Sequence, residues 1–181
     1  PDQCAVAVVD VAGGRAAVAH LLARGARSVA YVTGPLSIRQ CVERRHGAAA
    51  ALRAAGLGPE SLRVAEAATM TARAGEKAAA DLIAEGLPEA VFCANDLLAL
   101  GVLRALLRAG VRVPEDVALM GYDDIDFAAA STVSLSSMRQ PTYQLGRIAT
   151  ELLLDECDNP DKHAHQHIMF QPELVAREST Q

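Results

Sequence analysis

Tryptophan is absent from this chain, and aromatics make up only 3% of its 181 residues although 51% are hydrophobic. An aromatic-rich β-sandwich is thereby disfavoured, and the Ala, Leu and Val that carry the apolar content fit an α/β protein. Positive charge is also scarce: 17 Lys and Arg face 22 Asp and Glu, for a net charge of −5. Without a basic footprint to neutralise phosphates, free-standing nucleic-acid binding is disfavoured. Cysteine is sparse and scattered. Cys4, Cys41, Cys93 and Cys157 form no CxxC pair and no zinc spacing, so they read as thiols of a reducing cytoplasm. Neither a signal peptide nor a run of 18 apolar residues appears, which leaves secretion and membrane insertion without support. Catalytic signatures are missing as well: there is no GxSxG, GxGxxG, P-loop or HExxH. Adjacent carboxylates such as Asp123-Asp124 are not the facing pair of a glycosidase. The expectation is a protein that is not an enzyme and uses no cofactor.

What is present is an alternation of short apolar runs with helical periodicity. Cys4 to Val9 reads as a buried strand, followed by a helix opening at Gly13-Gly14 with Ala17, Val18, Leu21 and Leu22 on one face. Ser28 to Thr33 is a second strand, and Arg39 to Ala55 a helix. Leu62 to Ala65 is a third strand, and Ala72 to Glu85 the next helix. Ala90 to Ala94 and Val117 to Gly121 complete five strands, joined by a helix from Asp96 to Ala109. Gly25, Gly56, Gly86 and Gly110 close the four helices. Strand starts spaced by roughly 25 to 35 residues are βαβ units, which implies a mostly parallel sheet with helices on both faces. Asn95 and Asp123 then emerge at one edge of that sheet, where open α/β sheets hold small molecules.

Beyond Asp124 the pattern changes. Ile125 to Val133 reads as a small-residue loop and Ser134 to Gln140 as short and extended. Thr142 to Cys157 forms a helix with a stripe of Leu145, Ile148, Ala149, Leu152 and Leu153. That stripe has no partner in a sheet already complete, so it should be met by a second lobe or by another molecule. His167 to Gln171 and Leu174 to Arg177 read as one final strand with a proline break. His163, His165 and His167 alternate and would share one face of a strand, but a polar loop with no metal is the expectation.

The ordered motifs resemble lactose-repressor/galactose-repressor (LacI/GalR) transcription regulators. They are Val8-Val9-Asp10 with Gly13-Gly14-Arg15, Gly34-Pro35-Leu36-Ser37 with Arg44 and Gly47, Ala94-Asn95-Asp96, Val113-Pro114-Glu115-Asp116-Val117, Gly121-Tyr122-Asp123-Asp124, Met138-Arg139-Gln140-Pro141, and Pro172-Glu173-Leu174-Val175-Ala176-Arg177-Glu178-Ser179-Thr180. Each motif is weak alone, and the ordered set spans nearly the whole chain. The resemblance implies a three-layer α/β/α, periplasmic-binding-protein-like (type I) lobe in truncated form. Residues 1–140 would be the second lobe, 141–160 a helix of an otherwise absent first lobe, and 161–181 a returning strand and tail. The chain opens on Pro1-Asp2-Gln3 without a Met and reads as a piece of a longer regulator, whose helix-turn-helix would bind DNA.

The resemblance also assigns residues. Asn95 and Asp123 would hydrogen-bond the hydroxyls of a small effector, a sugar or similar metabolite. Arg44 would lay its guanidinium over that ligand, with Gln40 one turn earlier and Gln140 at the lobe crossing as further contacts. Met70 stands where many relatives carry an aromatic; it can cover an apolar face but lacks a ring platform, which weighs against a purine or a tightly stacked hexose. Asp124 should be structural. The helix after Asn95 is apolar nearly all round, so its outer face, Leu100, Leu103, Arg104 and Leu107, with Phe127, is expected to form a homodimer interface. A periplasmic sugar-binding protein of an uptake system is the alternative, because the lobe architecture is shared.

Overall fold

The computed structural model describes residues 3–181; residues 1 and 2, counted above with the second lobe, lie outside the described part. Six strands form the main sheet, in the order β3-β2-β4-β5-β6-β8. These are β2 (Val29–Thr33), β3 (Leu62–Glu66), β4 (Ala90–Cys93), β5 (Ala118–Asp123), β6 (Ser136–Arg139) and β8 (Glu173–Val175). All pairings are parallel except β6 with β8. Every residue of β2 and β4 is buried, which explains why these strands read as continuous apolar runs and not as alternation.

Four helices cover the sheet. Of these, α1 (Asp10–Ala23) packs on α2 (Arg39–Ala54), and α3 (Ala72–Glu85) packs on α4 (Asp96–Arg108). Right-handed crossovers put the two pairs on opposite faces. The chain runs outward from β2 to β3, then returns across to β4 and continues to β5. The direction of winding therefore reverses between β2 and β4, and their carboxyl ends border the crevice where such sheets bind ligands. The closing glycines adopt the left-handed conformation the sequence reading requires, as at Gly86 (φ 106°) and Gly110 (φ 76°).

Several expectations are corrected. The first apolar run does not join the main sheet. β1 (Ala5–Val8) pairs in parallel with β7 (His167–Phe170) as a separate two-stranded sheet. The final strand is two strands: Pro172 marks where the chain leaves β7 for β8 in the other sheet. Helix α1 starts at Asp10, three residues before the two glycines, which are packing residues inside it. A Cβ on Gly14 would lie 2.1 Å from the Arg44 carbonyl oxygen, and one on Gly47 would lie 2.1 Å from that of Val11. The two helices approach backbone to backbone because these side chains are missing. Part of the supposed loop after Asp124 is a short helix, α5 (Asp126–Ala130).

The polar tail is also structural. Ser179 and Thr180 are buried: Ser179 Oγ donates to the Leu119 carbonyl (2.6 Å), and Thr180 Oγ1 lies 2.8 Å from His20 Nε2. Helix α6 (Thr142–Asp158) rests against β1 and buries only Leu152. Of the stripe, Leu152 is buried, Leu145 and Ile148 are half-buried, and Ala149 and Leu153 are exposed, as are Tyr143 and Leu154 beside it, so the stripe is only partly covered among the described residues. No helix there is long and apolar enough to cross a membrane.

Candidate functional site

The crevice end of β4 is organised by Asn95. Its Oδ1 accepts the Leu98 N–H (2.9 Å) and caps α4, as a short polar side chain ahead of a helix should. Its Nδ2 donates to the Met70 carbonyl (3.3 Å) and so ties the helix start to the loop before α3. Met70 folds back over Gly34 at the end of β2, where a Cβ would sit 2.4 Å from its Cγ, and its sulfur lies 3.8 Å from Cys41 Sγ. Asp96, the next residue, turns inward. Its carboxylate accepts from Ser137 Oγ (2.7 Å) and from the Ile125 N–H (2.9 Å), and burial raises its pKa to about 6. It thus stitches α4 to β6 and to the loop after β5.

Arg44 is buried to 5% exposure, which an ordinary charged helix face would not produce. Its Nε donates to Asp10 Oδ1 (2.7 Å) and its Nη1 to the Ala94 carbonyl (2.5 Å), the residue directly before Asn95. The guanidinium carbon stands 3.6 Å above the centre of the Tyr122 ring, a cation–π contact. Burial opposes its charge, yet Asp10, Tyr122 and Asp123 together hold its pKa above the ordinary value. Nη2 makes no hydrogen bond among the described residues.

Asp123 closes the edge from β5. It has a positive φ of 110° and Asp124 follows with 55°, a conformation that L residues adopt at a cost of about 1–3 kcal/mol. Gln140 Nε2 donates to Asp123 Oδ1 (2.6 Å), which links the end of β5 to the start of the crossing into α6. Burial pushes the Asp123 carboxyl up from its usual value, while Arg44 and Gln140 pull the other way. Asp124 faces elsewhere, paired with Arg139 (2.7 Å) and Arg177 (2.6 Å), and so anchors β6 and the segment after β8. Gln40 is exposed on the first turn of α2 and makes no hydrogen bond among the described residues.

The edge therefore gathers Arg44, Met70, Asn95, Asp123 and Gln140, joined through Ala94 and the β2 and β4 ends. Two members escaped the sequence reading. Asp10, which the sequence offers only within a motif, is the buried counter-ion of Arg44. Tyr122 was only a motif letter; its ring is the platform under the guanidinium, and its buried hydroxyl, pressed against Gly13, lacks a hydrogen-bond partner among the described residues. The signal for Asp10 was available: like Asn95 and Asp123, it is a polar residue directly after an apolar strand.

On the other side of α4, a groove of about 550 Å³ runs between α4 and α5, lined by Leu100, Leu103, Arg104, Leu107 and Phe127 among others. Leu107 and Phe127 are exposed. Leu103 departs from its expected place on the outer face. It is 3% exposed and sits in the chain's own core while still lining the groove.

A family model described as a periplasmic binding protein-like domain matches residues 18–180. The chain belongs to this family, in the form found in LacI-type regulators. It is 36% identical over 169 residues to an HTH-type transcriptional repressor PurR of Aliivibrio salmonicida, covering 92% of this chain and 50% of that protein. It is 35% identical to the ribose operon repressor of Escherichia coli, with the same shares covered. The fold superposes on a LacI family transcriptional regulator from Enterococcus faecium with bound ribose, at a TM-score of 0.92 and 30% identity over 97% of this chain and 65% of that one. A CelR–cellobiose complex gives a TM-score of 0.87 at 34% identity, covering 98% and 54%. The chain spans about half the length of the curated relatives it matches, and within them it corresponds to the C-terminal, effector-binding part.

Proposed function

We propose that this periplasmic-binding-protein-like chain is the effector-sensing part of a cytoplasmic LacI-type transcriptional regulator, and that its effector is a small sugar held at the β2–β4–β5 edge. The supporting observation is the buried, pre-paired guanidinium of Arg44, aimed with Asp123, Gln140 and Asn95 at the sheet's topological switch point. Arg44 and Asp123 supply opposite charges for charge-assisted bonds to vicinal hydroxyls. The Asn95 amide contributes at the helix start, Met70 covers an apolar ring face, and Gln40 stands at the rim. Relatives named as repressors favour a regulator over an uptake protein, and the ribose and cellobiose of the structural neighbours favour a sugar.

Residues 10–140, together with β8 and the tail after it, would form one lobe. The β1–β7 pair and α6 would belong with a companion lobe, whose closure over the ligand changes the disposition of DNA-binding heads elsewhere in the regulator. Coupling of this kind needs only that the effector prefers one lobe arrangement. The groove between α4 and α5 would seat a second copy of the chain. Neither turnover nor a cofactor is part of this reading.

Calorimetric titration with ribose, cellobiose, sugar phosphates and nucleosides tests the site. One sugar is expected to bind, and Asp123→Ala to weaken it by at least tenfold. Asn95→Ser keeps the helix cap while removing the amide, so a loss there separates ligand contact from folding. The reading fails if no sugar binds, or if the affinity is unchanged in both variants.

A further inference from the structure

Three segments far apart in the sequence meet beside the small β1–β7 sheet: Cys4 before β1, Glu156 in the last turns of α6, and His163 and His165 in the loop entering β7. His163 and His165 lie in a loop, as the sequence leads one to expect, and only His167 of the run is in a strand. Strand β7 begins only at His167, which leaves the two earlier imidazoles free to turn toward Cys4.

Cys4 Sγ lies 3.1 Å from His163 Nε2 and 3.8 Å from His165 Nδ1, and the two rings meet edge to face at 5.3 Å. One donor atom from each of Cys4, Glu156, His163 and His165 falls within 4.8 Å of all the others. Tetrahedral zinc, with bonds of about 2.0–2.3 Å, separates its ligands by about 3.3–3.8 Å, so closure needs only small side-chain rotations.

We propose that Cys4, Glu156, His163 and His165 form a zinc-binding site that clasps β1, the end of α6 and the entry to β7. A mixed set of one thiolate, two imidazoles and one carboxylate suits zinc better than a hard cation such as Mg²⁺ or Ca²⁺, which takes oxygen ligands alone. The shell around the donors is also that of a metal centre. His163 faces Cys4 through Nε2, while its Nδ1 sits 2.6 Å from Asp155 Oδ2, the carboxylate–histidine arrangement that orients a zinc-bound imidazole. Asp155 is held in turn by Asn159 Nδ2 (3.0 Å), and the Gln166 N–H donates to the Cys4 sulfur (3.4 Å). Binding would replace the Zn–water bonds of the hydrated ion with Zn–S, two Zn–N and Zn–O bonds, releasing those waters and the Cys4 thiol proton to solvent with no change of oxidation state. A relay of Cys4, His163 and Asp155 serving only a reactive thiol would have no use for His165 or Glu156.

The test adds zinc to the metal-free protein in competition with a chromophoric chelator and uses cobalt as a spectroscopic stand-in. One ion per chain is expected, with a thiolate-to-cobalt charge-transfer band and a raised thermal midpoint. Cys4→Ser should abolish the band, and His165→Ala should abolish tight binding. Asp155→Asn should weaken binding about 10- to 100-fold. His167→Ala, an exposed neighbour outside the cluster, should change nothing. Circular dichroism checks that each variant keeps its fold, which the separate six-stranded sheet should ensure. Absence of tight zinc binding, binding equally strong in Cys4→Ser, or rapid alkylation of Cys4 unaffected by saturating zinc would each overturn the proposal.

Discussion

At the residue scale, the candidate site rests on buried charges that support one another. Arg44 and Asp10 are each almost fully buried and would be costly alone; together, over the Tyr122 ring, they form a preset frame for Asp123. Asp96 is the contrasting case, a buried carboxyl with hydrogen bonds but no cation. Its pKa rises from 3.8 in the unfolded chain to about 6 in the fold, mainly through desolvation. Its contribution to stability is therefore full below pH 3.8 and lost as the pH rises through 6. Asp96→Asn keeps the size and can still pair with Ser137 and Ile125. The variant should gain on the parent between pH 4 and pH 7.5, by at most about 3 kcal/mol. Urea melts at both pH values measure this, and a pH-independent difference would show that Asp96 does not titrate as described. Asp124, held below the usual carboxylate range by Arg177 and Arg139 against the effect of burial, works with the opposite sign and is common to both proteins.

At the element scale, the helix pairs are set by missing side chains. The α1–α2 and α3–α4 contacts place backbone against backbone at Gly14, Gly47, Gly75 and Gly101. Gly47→Ala would bring a methyl group against the Val11 carbonyl, which cannot yield without moving α1. A loss of about 1–3 kcal/mol or more is expected from overpacking. Gly146 in α6 has nothing within 4 Å of an added Cβ, so Gly146→Ala should stabilise by up to about 1 kcal/mol. Thermal melts of the two variants read the contrast, and equal effects would mean that helix propensity alone is at work. The difference also bears on the site, since Gly14 and Gly47 bring Arg44 within reach of Asp10.

At the scale of the whole molecule, the main sheet has two working edges. Its carboxyl end carries the proposed effector site, and the α4–α5 side carries a groove with exposed Leu107 and Phe127. With the groove seating a second copy as proposed, Leu107→Glu or Phe127→Glu should leave the chain monomeric by sedimentation, with little change in thermal stability because both side chains are exposed. Leu103→Glu should instead unfold the chain, since Leu103 is core. Dimers as tight as the parent's in the first two variants would move the interface elsewhere. The β1–β7 sheet and α6, with Tyr143, Leu153 and Leu154 exposed, form the remaining surface.

Local signals in the chain were sufficient for the elements of the main sheet. Period and turn residues predicted helices 39–55, 72–85 and 96–109 to within a residue at either end, and the strands between them, because helix stops at Gly56, Gly86 and Gly110 depend on neighbours in sequence. Polar residues after buried strands likewise pointed to Asn95 and Asp123. Pairing across distance was not legible. Nothing in Cys4 to Val9 distinguishes a strand of the main sheet from a partner for β7, since an apolar run suits either. The burial of Arg44 was hidden because a guanidinium in the run Glu43-Arg44-Arg45-His46 looks solvated until Asp10 and Tyr122 arrive from other elements. The meeting of Cys4 with His163 and His165 belongs to the same class. Sequence by itself determined which segments are strands and helices and where their polar ends fall; the tertiary structure decided which of those ends meet, because burial and charge pairing are set by neighbours in space.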